Sequence, residues 1–243
     1  MEHWLRFFSK SHAFLSNSIY LVAMLLSVYL CMVYFSSANN VYQLLMKLTG
    51  QYALIYLVIV LTITPLRRWA VIACQQCKLS YGKRLSDWNW LIKLRRSLGM
   101  VCTFFALVHL YFYLWLDFDW LWQDIVWDAN TRPFIALGWI SIGLLCLLAL
   151  TSPDVIQKVL KRRWRQIHRC IYLLAIVVLY HFGMSEKAGS NDVTSWAIIV
   201  AILLLHRVWF GLLKSSKNAA DDGMLAQRAK SNRRAKHHVK KSI

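Results

Sequence analysis

Three histidines stand within otherwise apolar stretches of this 243-residue chain. His109 lies in LGMVCTFFALVHLYFYLWL, and His168 and His181 lie in QIHRCIYLLAIVVLYHF. An ionisable side chain inside a bilayer is unfavourable, so its presence indicates a functional role. Neutral imidazole is a common axial ligand of haem iron. The pattern therefore indicates a b-type haem held between helices, and the missing C-x-x-C-H motif gives no support to covalent, c-type attachment.

The elements that position these histidines must be membrane-spanning helices. The chain is 58% hydrophobic and only 16% charged, with a mean hydropathy of +0.42. Only helices and closed barrels span lipid, and the apolar runs are far too long for barrel strands. We therefore predict an all-α, polytopic membrane bundle with one membrane domain over 1–213. Its six transmembrane helices are predicted at about 18–36, 49–66, 97–116, 133–151, 168–185 and 194–213.

Proline and capping residues suggest where several helices begin and end. Pro65 is predicted to close the second helix. Thr131 is predicted as the N-cap of the fourth helix, with Pro133 in its first turn and Ser152-Pro153 at its end.

The distribution of positive charge predicts the orientation of the bundle. Of the 29 Lys and Arg residues, 26 fall in segments on one side of the predicted spans, and only Lys47, Arg132 and Lys187 fall on the other. By the positive-inside rule, both termini lie in the cytoplasm. The net charge of +18 then needs no nucleic-acid partner. The polar, basic segment 214–243 is predicted to be a disordered cytoplasmic tail that is attracted to anionic membrane lipids.

Two of the histidines are predicted to lie at the same depth. His109 follows the predicted helix start at Ser97 by 12 residues, and His181 follows that at His168 by 13. At about 1.5 Å per residue, these spacings place them about 18 and 20 Å into the membrane. This arrangement is typical of bis-histidine haem ligation near the outer face. The alternative is two unrelated histidines that pack against polar groups.

The inner end of the bundle differs from the outer end in its histidines, because no second histidine is predicted opposite His168. Counting back from His109 by the spacing of a second haem pair reaches Arg95 and Arg96. Moreover, 13 residues at about 100° each would leave His168 and His181 about 140° apart on an ideal helix. We therefore expect either a distorted helix or a separate pocket for His168. The arginines suit a phosphate-bearing cofactor such as FMN, or they serve only as positive-inside anchors.

Two further features leave alternatives open. Cys74 and Cys77 form a C-x-x-C in a basic segment, which is compatible with a redox or metal role but is weak evidence for either. The loop DFDWLWQDIVWDANTR combines four aspartates with three tryptophans. It is either an interfacial aromatic belt or a docking surface for an external partner.

Four stretches together resemble the MsrQ family of the ferric-reductase-like transmembrane group. They are LTG-QYAL-IYLVIVLTITPLRRW, LRRSLGMVCTFFALVHL, TRPFIALGWISIGLLCLLALTS and WRQIHRCIYLLAIVVLYHF, in the order of the family from about residue 48 to 182. Gly99 and Trp164 also fall where the family has them. The segment from Ala70 to Lys93 looks longer than the family norm, and the basic tail looks extended.

The resemblance implies a place in an electron-transfer chain. An MsrQ subunit takes electrons from a cytoplasmic flavin reductase that oxidises NAD(P)H, and passes them through flavin and haem b to a periplasmic molybdopterin methionine-sulfoxide reductase. That partner repairs oxidised envelope proteins, which implies the bacterial inner membrane as location. By the match, His109 and His181 are haem ligands and His168 is a third haem- or redox-site histidine. Arg95 and Arg96 are assigned to the flavin from their charge alone.

Two other functions compete with this hypothesis. A stand-alone ferric reductase or oxidase generally carries its own flavin and nicotinamide domains, whereas only a short basic segment follows Phe210 in this sequence, without G-x-G-x-x-G. A non-redox membrane protein would use the histidines as packing or proton-carrying groups. A visible absorption spectrum separates this last possibility from the other two.

Overall fold

The computed structural model describes residues 11–36, 41–185, 193–213 and 224. Its elements are helical, and no strand occurs among these residues. Within the part of the chain that the structure describes, six helices are long and apolar enough to cross a membrane. The predicted all-α, multi-pass membrane bundle is therefore confirmed.

The helices are labelled in chain order. They are α1 His12–Ser36, α2 Val41–Gln76, α3 Asn89–Phe112, α4 Trp122–Thr131, α5 Pro133–Leu150, α6 Asp154–Leu160, α7 Arg162–Ile167, α8 Cys170–Ser185 and α9 Val193–Leu213. A 3₁₀ turn, Leu85–Trp88, precedes α3, and a π-helical turn, Tyr113–Asp117, extends it.

The prediction that Pro65 ends the second helix is wrong. Pro65 lies inside α2, which continues to Gln76. Proline removes only one backbone donor, and such interruptions are tolerated in membrane helices where the freed groups find other partners. As α3 begins at Asn89 rather than Ser97, the inner connection shrinks to the short segment between Gln76 and the 3₁₀ turn. Much of the segment that looked like a long loop is thus helical.

The predicted N-cap at Thr131 is also wrong. Thr131 is the last residue of α4, a short helix that the sequence did not reveal, and its hydroxyl donates to the carbonyls of Trp127 and Asp128. Arg132 is the N-cap of α5 and Pro133 is its first residue, where a missing N–H costs nothing. The end of α5 before Ser152-Pro153 is as predicted.

Two helix pairs form most of the bundle. The most extensive contacts join α2 to α3 and α5 to α8, and α3 also packs on α1 and α5. Phe105, Leu61 and Leu174 are fully buried between these helices. Large apolar side chains such as Ile59, Leu147 and Ile176 remain exposed on the outside, as expected for a surface that faces lipid.

The predicted fifth helix, 168–185, is present as α8, and a break at its inner end separates it from α7. α7 ends at Ile167, His168 is its C-cap, and α8 begins at Cys170. The break removes the conflict over the angle between His168 and His181, because the two residues do not share one ideal helix.

By compactness the chain divides into two units, Met1–Val200 and Ala201–Ile243. In the second unit, the His206 ring lies 4.6 Å from that of Phe210. The predicted tail, 214–243, lies outside the described residues apart from Met224, as do His3, His237 and His238.

Candidate functional site

A cavity of about 320 Å³ lies among α2, α3, α5 and α8, and both His109 and His181 line it. We call it the histidine cavity. Most of its other lining is apolar, for example Leu54, Ile142 and Val178. The structure thus brings together the two histidines that the sequence placed at one depth. A concave, largely apolar site with a few convergent polar groups is typical of cofactor binding.

The two imidazole rings face each other across this cavity at a distance that suits one metal ion. Their centroids are 6.4 Å apart and their planes are inclined by 84°. A metal–imidazole bond is about 2 Å long. A five-membered ring with bonds of about 1.3 Å places its centre about 1 Å from the nitrogen. Two rings that bind one metal from opposite sides therefore have centroids about 6 Å apart, close to the observed value.

Hydrogen bonds fix which nitrogen of each ring carries the proton. Nδ1 of His109 donates to the Met46 carbonyl at 3.0 Å, and Nδ1 of His181 donates to the Phe134 carbonyl at 2.7 Å. A carbonyl can only accept, so Nδ1 is protonated in both rings and Nε2 carries the lone pair. No described residue forms a hydrogen bond to either Nε2. This is the tautomer and orientation that a metal-binding histidine needs.

A glycine lies behind each ring. A β-carbon on Gly50 would meet Cε1 of His109 at 3.2 Å, and one on Gly138 would meet Cε1 of His181 at 3.0 Å. Gly50 comes four residues after Met46, and Gly138 comes four after Phe134. Each ring is therefore held in the same way by the neighbouring helix, which supplies a carbonyl and, one turn later, the space left by a missing side chain.

A second cavity, of about 690 Å³, contains the three other predicted site residues. His168, Arg95 and Arg96 all line it, and we call it the arginine cavity. Other basic residues on its wall are Lys93, Arg165 and Arg169. Arg96 forms an ion pair with Asp154 at 2.9 Å, and both side chains are well exposed. The predicted inner group is therefore assembled, in a pocket that is separate from the histidine pair.

His168 is held differently from the other two histidines. Its ring packs on Trp164 with centroids 4.3 Å apart, and its Nε2 lies 3.2 Å from the Thr151 hydroxyl oxygen. The shortest contact of that hydroxyl, 2.8 Å to the Leu147 carbonyl, takes its hydrogen. The oxygen therefore accepts from Nε2–H of His168. In this ring Nε2 is a hydrogen-bond donor, whereas in His109 and His181 it is free.

The two cavities share a wall. Leu57, Cys102 and Leu145 line both of them, and all three are buried. The Cys102 thiol donates to the Ala53 carbonyl at 3.3 Å. Groups bound in the two cavities would therefore be separated by a single layer of side chains.

The C-x-x-C pair lies away from both cavities. Cys74 is buried beside Gly82, and Cys77 is exposed at the end of α2. Both are free thiols. Among the described residues, no group of three or more His, Cys, Asp or Glu side chains is arranged to hold a metal ion. The geometry thus adds nothing to the redox or metal role considered for this pair.

Comparison with known proteins shows the family to which this membrane bundle belongs. The family model of the ferric reductase like transmembrane component matches residues 49–179, which include α3, α5 and His109 and end two residues before His181. The chain is 36% identical over 185 residues to the "Protein-methionine-sulfoxide reductase heme-binding subunit MsrQ" of Herminiimonas arsenicoxydans, covering 74% of this chain and 77% of that protein. It belongs to the MsrQ family of ferric-reductase-like transmembrane proteins.

Two further relatives with the same name extend the match. The protein from Xanthomonas campestris pv. campestris (strain 8004) is 37% identical over 161 residues, covering 66% of each chain. That from Azospira oryzae is 33% identical over 175 residues, covering 71% of this chain and 68% of the relative. The resemblance to MsrQ found in the sequence is confirmed.

Sequence reasoning missed the residues that hold the two rings. Met46 and Phe134 act through backbone carbonyls, which leave no mark on residue type. The glycines do leave a signal, since Gly50 and Gly138 each precede a proline, Pro65 or Pro153, by fifteen positions. This repeated spacing relates α2 to α5, the two helices that hold the rings.

Proposed function

We propose that this member of the MsrQ family is a b-type cytochrome of the bacterial inner membrane. It would pass electrons from a cytoplasmic NAD(P)H-oxidising flavin reductase, via FMN and haem b, to a periplasmic molybdopterin methionine-sulfoxide reductase that repairs envelope proteins. Each cycle balances when NAD(P)H supplies two electrons and the sulfoxide takes two electrons and two protons to give methionine and water. The facing pair of histidines with free Nε2 atoms is the observation that carries the proposal.

The histidine cavity suits a haem group. His109 and His181 would hold the iron, and the group would supply one-electron chemistry when bound. The chain's own contribution is to keep both ligands neutral, fixed in tautomer and shielded by apolar side chains. Hydrogen bonds from Nδ1 to the carbonyls of Met46 and Phe134 already restrict rotation of both rings. The rings therefore lose little conformational entropy when they bind a metal.

The arginine cavity suits an anionic cofactor, and we assign FMN to it. Its volume lies within the common range of about 300–1,000 Å³ for ligand pockets. Arg95 and Arg96 would bind the phosphate, since guanidinium groups match phosphate geometry. The Trp164–His168 pair offers an aromatic surface to the same space. His168 would thus act at the flavin or at the path between the two cofactors.

Reconstitution tests this relay directly. A flavin reductase and NADH are added to the purified protein in nanodiscs, and reduction of the haem is followed by its visible absorbance. A molybdopterin methionine-sulfoxide reductase with oxidised substrate is then added. We expect reduction in the first stage and reoxidation in the second. A haem that the flavin reductase reduces but the second enzyme leaves reduced would point instead to a stand-alone carrier with another acceptor.

The orientation of the bundle is a separate part of the proposal. Positive charge near the arginine cavity favours its placement at the cytoplasmic face, with both termini on that side. Cys77 offers a test, because it is exposed at that end while Cys74 and Cys102 are buried. A membrane-impermeant maleimide should label Cys77 in inverted vesicles and not in spheroplasts. The reverse pattern would refute the orientation. In the proposed orientation, tail residues 214–243 lie in the cytoplasm, near anionic lipids.

A further inference from the structure

The planes of the two cavity histidines are nearly perpendicular, and the structure shows what sets this angle. Each ring is placed by two features, the hydrogen bond from Nδ1 and a neighbouring glycine, on which a β-carbon would come within 3.0–3.2 Å of Cε1. The ring of His109 is fixed by α2 and that of His181 by α5. The 84° angle is therefore imposed by the protein before any ligand is present.

We infer that Gly50 and Gly138 are positioning residues that hold the axial imidazoles crossed, and so set the electronic state of the iron they bind. The inference rests on the proposed haem. Parallel imidazoles overlap the same iron d orbital and split the dπ pair. Crossed imidazoles each overlap a different member, so the pair stays nearly degenerate. The protein controls a haem through its ligands and their surroundings, and ring orientation is one such control.

The two glycines differ from others in the chain in this respect. A β-carbon on either one would lie 3.0–3.2 Å from an imidazole carbon, so that the ring or the helix would have to give way by a few tenths of an ångström. On the same helix as Gly138, a β-carbon on Gly143 would meet nothing within 4 Å. Gly143 lines neither cavity. It therefore provides a matched control, because Gly143→Ala makes the same chemical change on α5 without touching a ring.

Low-temperature electron paramagnetic resonance of the oxidised protein tests the inference. In the wild type we expect a strongly anisotropic low-spin signal, dominated by one low-field feature, as near-degenerate dπ orbitals require. Gly143→Ala should leave it unchanged. In Gly50→Ala and Gly138→Ala we expect the low-field feature to be lost, either to a more rhombic spectrum or together with haem binding in a protein of unchanged helicity.

Two results would overturn the inference. The first is an ordinary rhombic spectrum in the wild type, which would mean that the rings lie near parallel. The second is a wild-type spectrum in both alanine variants at full haem content. If one alanine variant does not fold, the wild-type spectrum still tests whether the rings are crossed, and the other variant tests the role of its glycine. Failure of the proposed haem site is distinguishable, since the wild type would then bind no haem and show no low-spin signal.

Discussion

The histidine cavity and the arginine cavity share a wall but are built for different ligands. In the first, two imidazoles face each other with Nε2 free and few other polar groups nearby. In the second, a single imidazole donates through Nε2 to Thr151 and several basic side chains surround it. Nδ1 is bonded to a backbone carbonyl in the two facing imidazoles, whereas Nε2 is bonded to a hydroxyl in the third. Of the two cavities, only the first therefore offers a pair of imidazoles with Nε2 available to a metal ion.

Removal of either facing histidine should produce the largest effect. We expect His109→Ala and His181→Ala to lose most of the b-type absorbance, because one axial ligand and one anchored ring disappear. His168→Ala should keep at least part of it, since that ring lies in the other cavity. Visible spectra of the purified variants check this, with His206→Ala as a control outside both cavities. A double His109/His181 variant with a full haem spectrum would refute the ligand assignment.

Loss of the arginines should affect the other cavity alone. We expect Arg95→Ala and Arg96→Ala each to weaken FMN binding about tenfold or more, because a hydrogen bond to a charged group contributes about 1.5–3 kcal/mol. Haem content should not change. Fluorescence titration with FMN measures this, and Arg163→Ala provides a control, since Arg163 is exposed and does not line the cavity. Asp154→Ala separates loss of the ion pair from loss of the phosphate contact. Unchanged FMN affinity in the arginine variants would show that Arg95 and Arg96 serve only as membrane anchors.

Near the histidine cavity, a buried polar contact should contribute to stability rather than to cofactor binding. The hydroxyl of Tyr113, which lines this cavity, donates to the buried carboxylate of Asp128 at 2.8 Å. Tyr113→Phe removes that donor, at a cost of about 1–3 kcal/mol, and should lower the Tm by about 2 °C or more. Thermal unfolding in detergent measures the change. Asp124→Asn, at an exposed position on α4, should leave the Tm unchanged. Equal Tm values for Tyr113→Phe and the wild type would show that this contact contributes nothing.

The smallest predicted effect concerns a second acceptor for one ring. The Thr49 hydroxyl oxygen lies 3.3 Å from Nδ1 of His109 while its hydrogen is directed at the Leu45 carbonyl. Thr49→Val removes this acceptor, so the imidazole becomes a slightly weaker donor to ferric iron. We expect a small rise in midpoint potential, equivalent to less than about 1.5 kcal/mol. Potentiometric titration checks the sign, and a fall would contradict it.

Much of the fold could be predicted from the sequence because its signals are long apolar runs. The six spans followed from composition, whereas the helix ends did not. Pro65 is accommodated within α2, and the more polar segment 89–96 is the first part of α3. The short helix α4 was missed since tryptophans and aspartates do not show a clear helical period. Its attachment depends on Asp128, whose partner Tyr113 is distant in sequence.

Some residues of the candidate site could be predicted from the sequence and others could not. His109 and His181 could be found because a histidine is conspicuous among apolar residues. Similar spacings, of 12 and 13 residues from the predicted helix starts, paired them, although the helices begin at Asn89 and Cys170. The carbonyls of Met46 and Phe134 could not be found, since every residue has a carbonyl. The role of His168 could not be predicted because the helix is broken between α7 and α8. The angle between His168 and His181 therefore cannot be calculated from the spacing of an ideal helix.

The most direct test of the central claim is a dithionite-reduced minus oxidised spectrum of the purified protein, with haem quantified as the pyridine haemochrome. We expect haem b in the low-spin state, since His109 and His181 are the residues that would hold its iron. Absence of haem after expression with adequate haem supply would contradict it. The facing histidines would then be a packing feature, and the likeness to the MsrQ family would be one of fold alone.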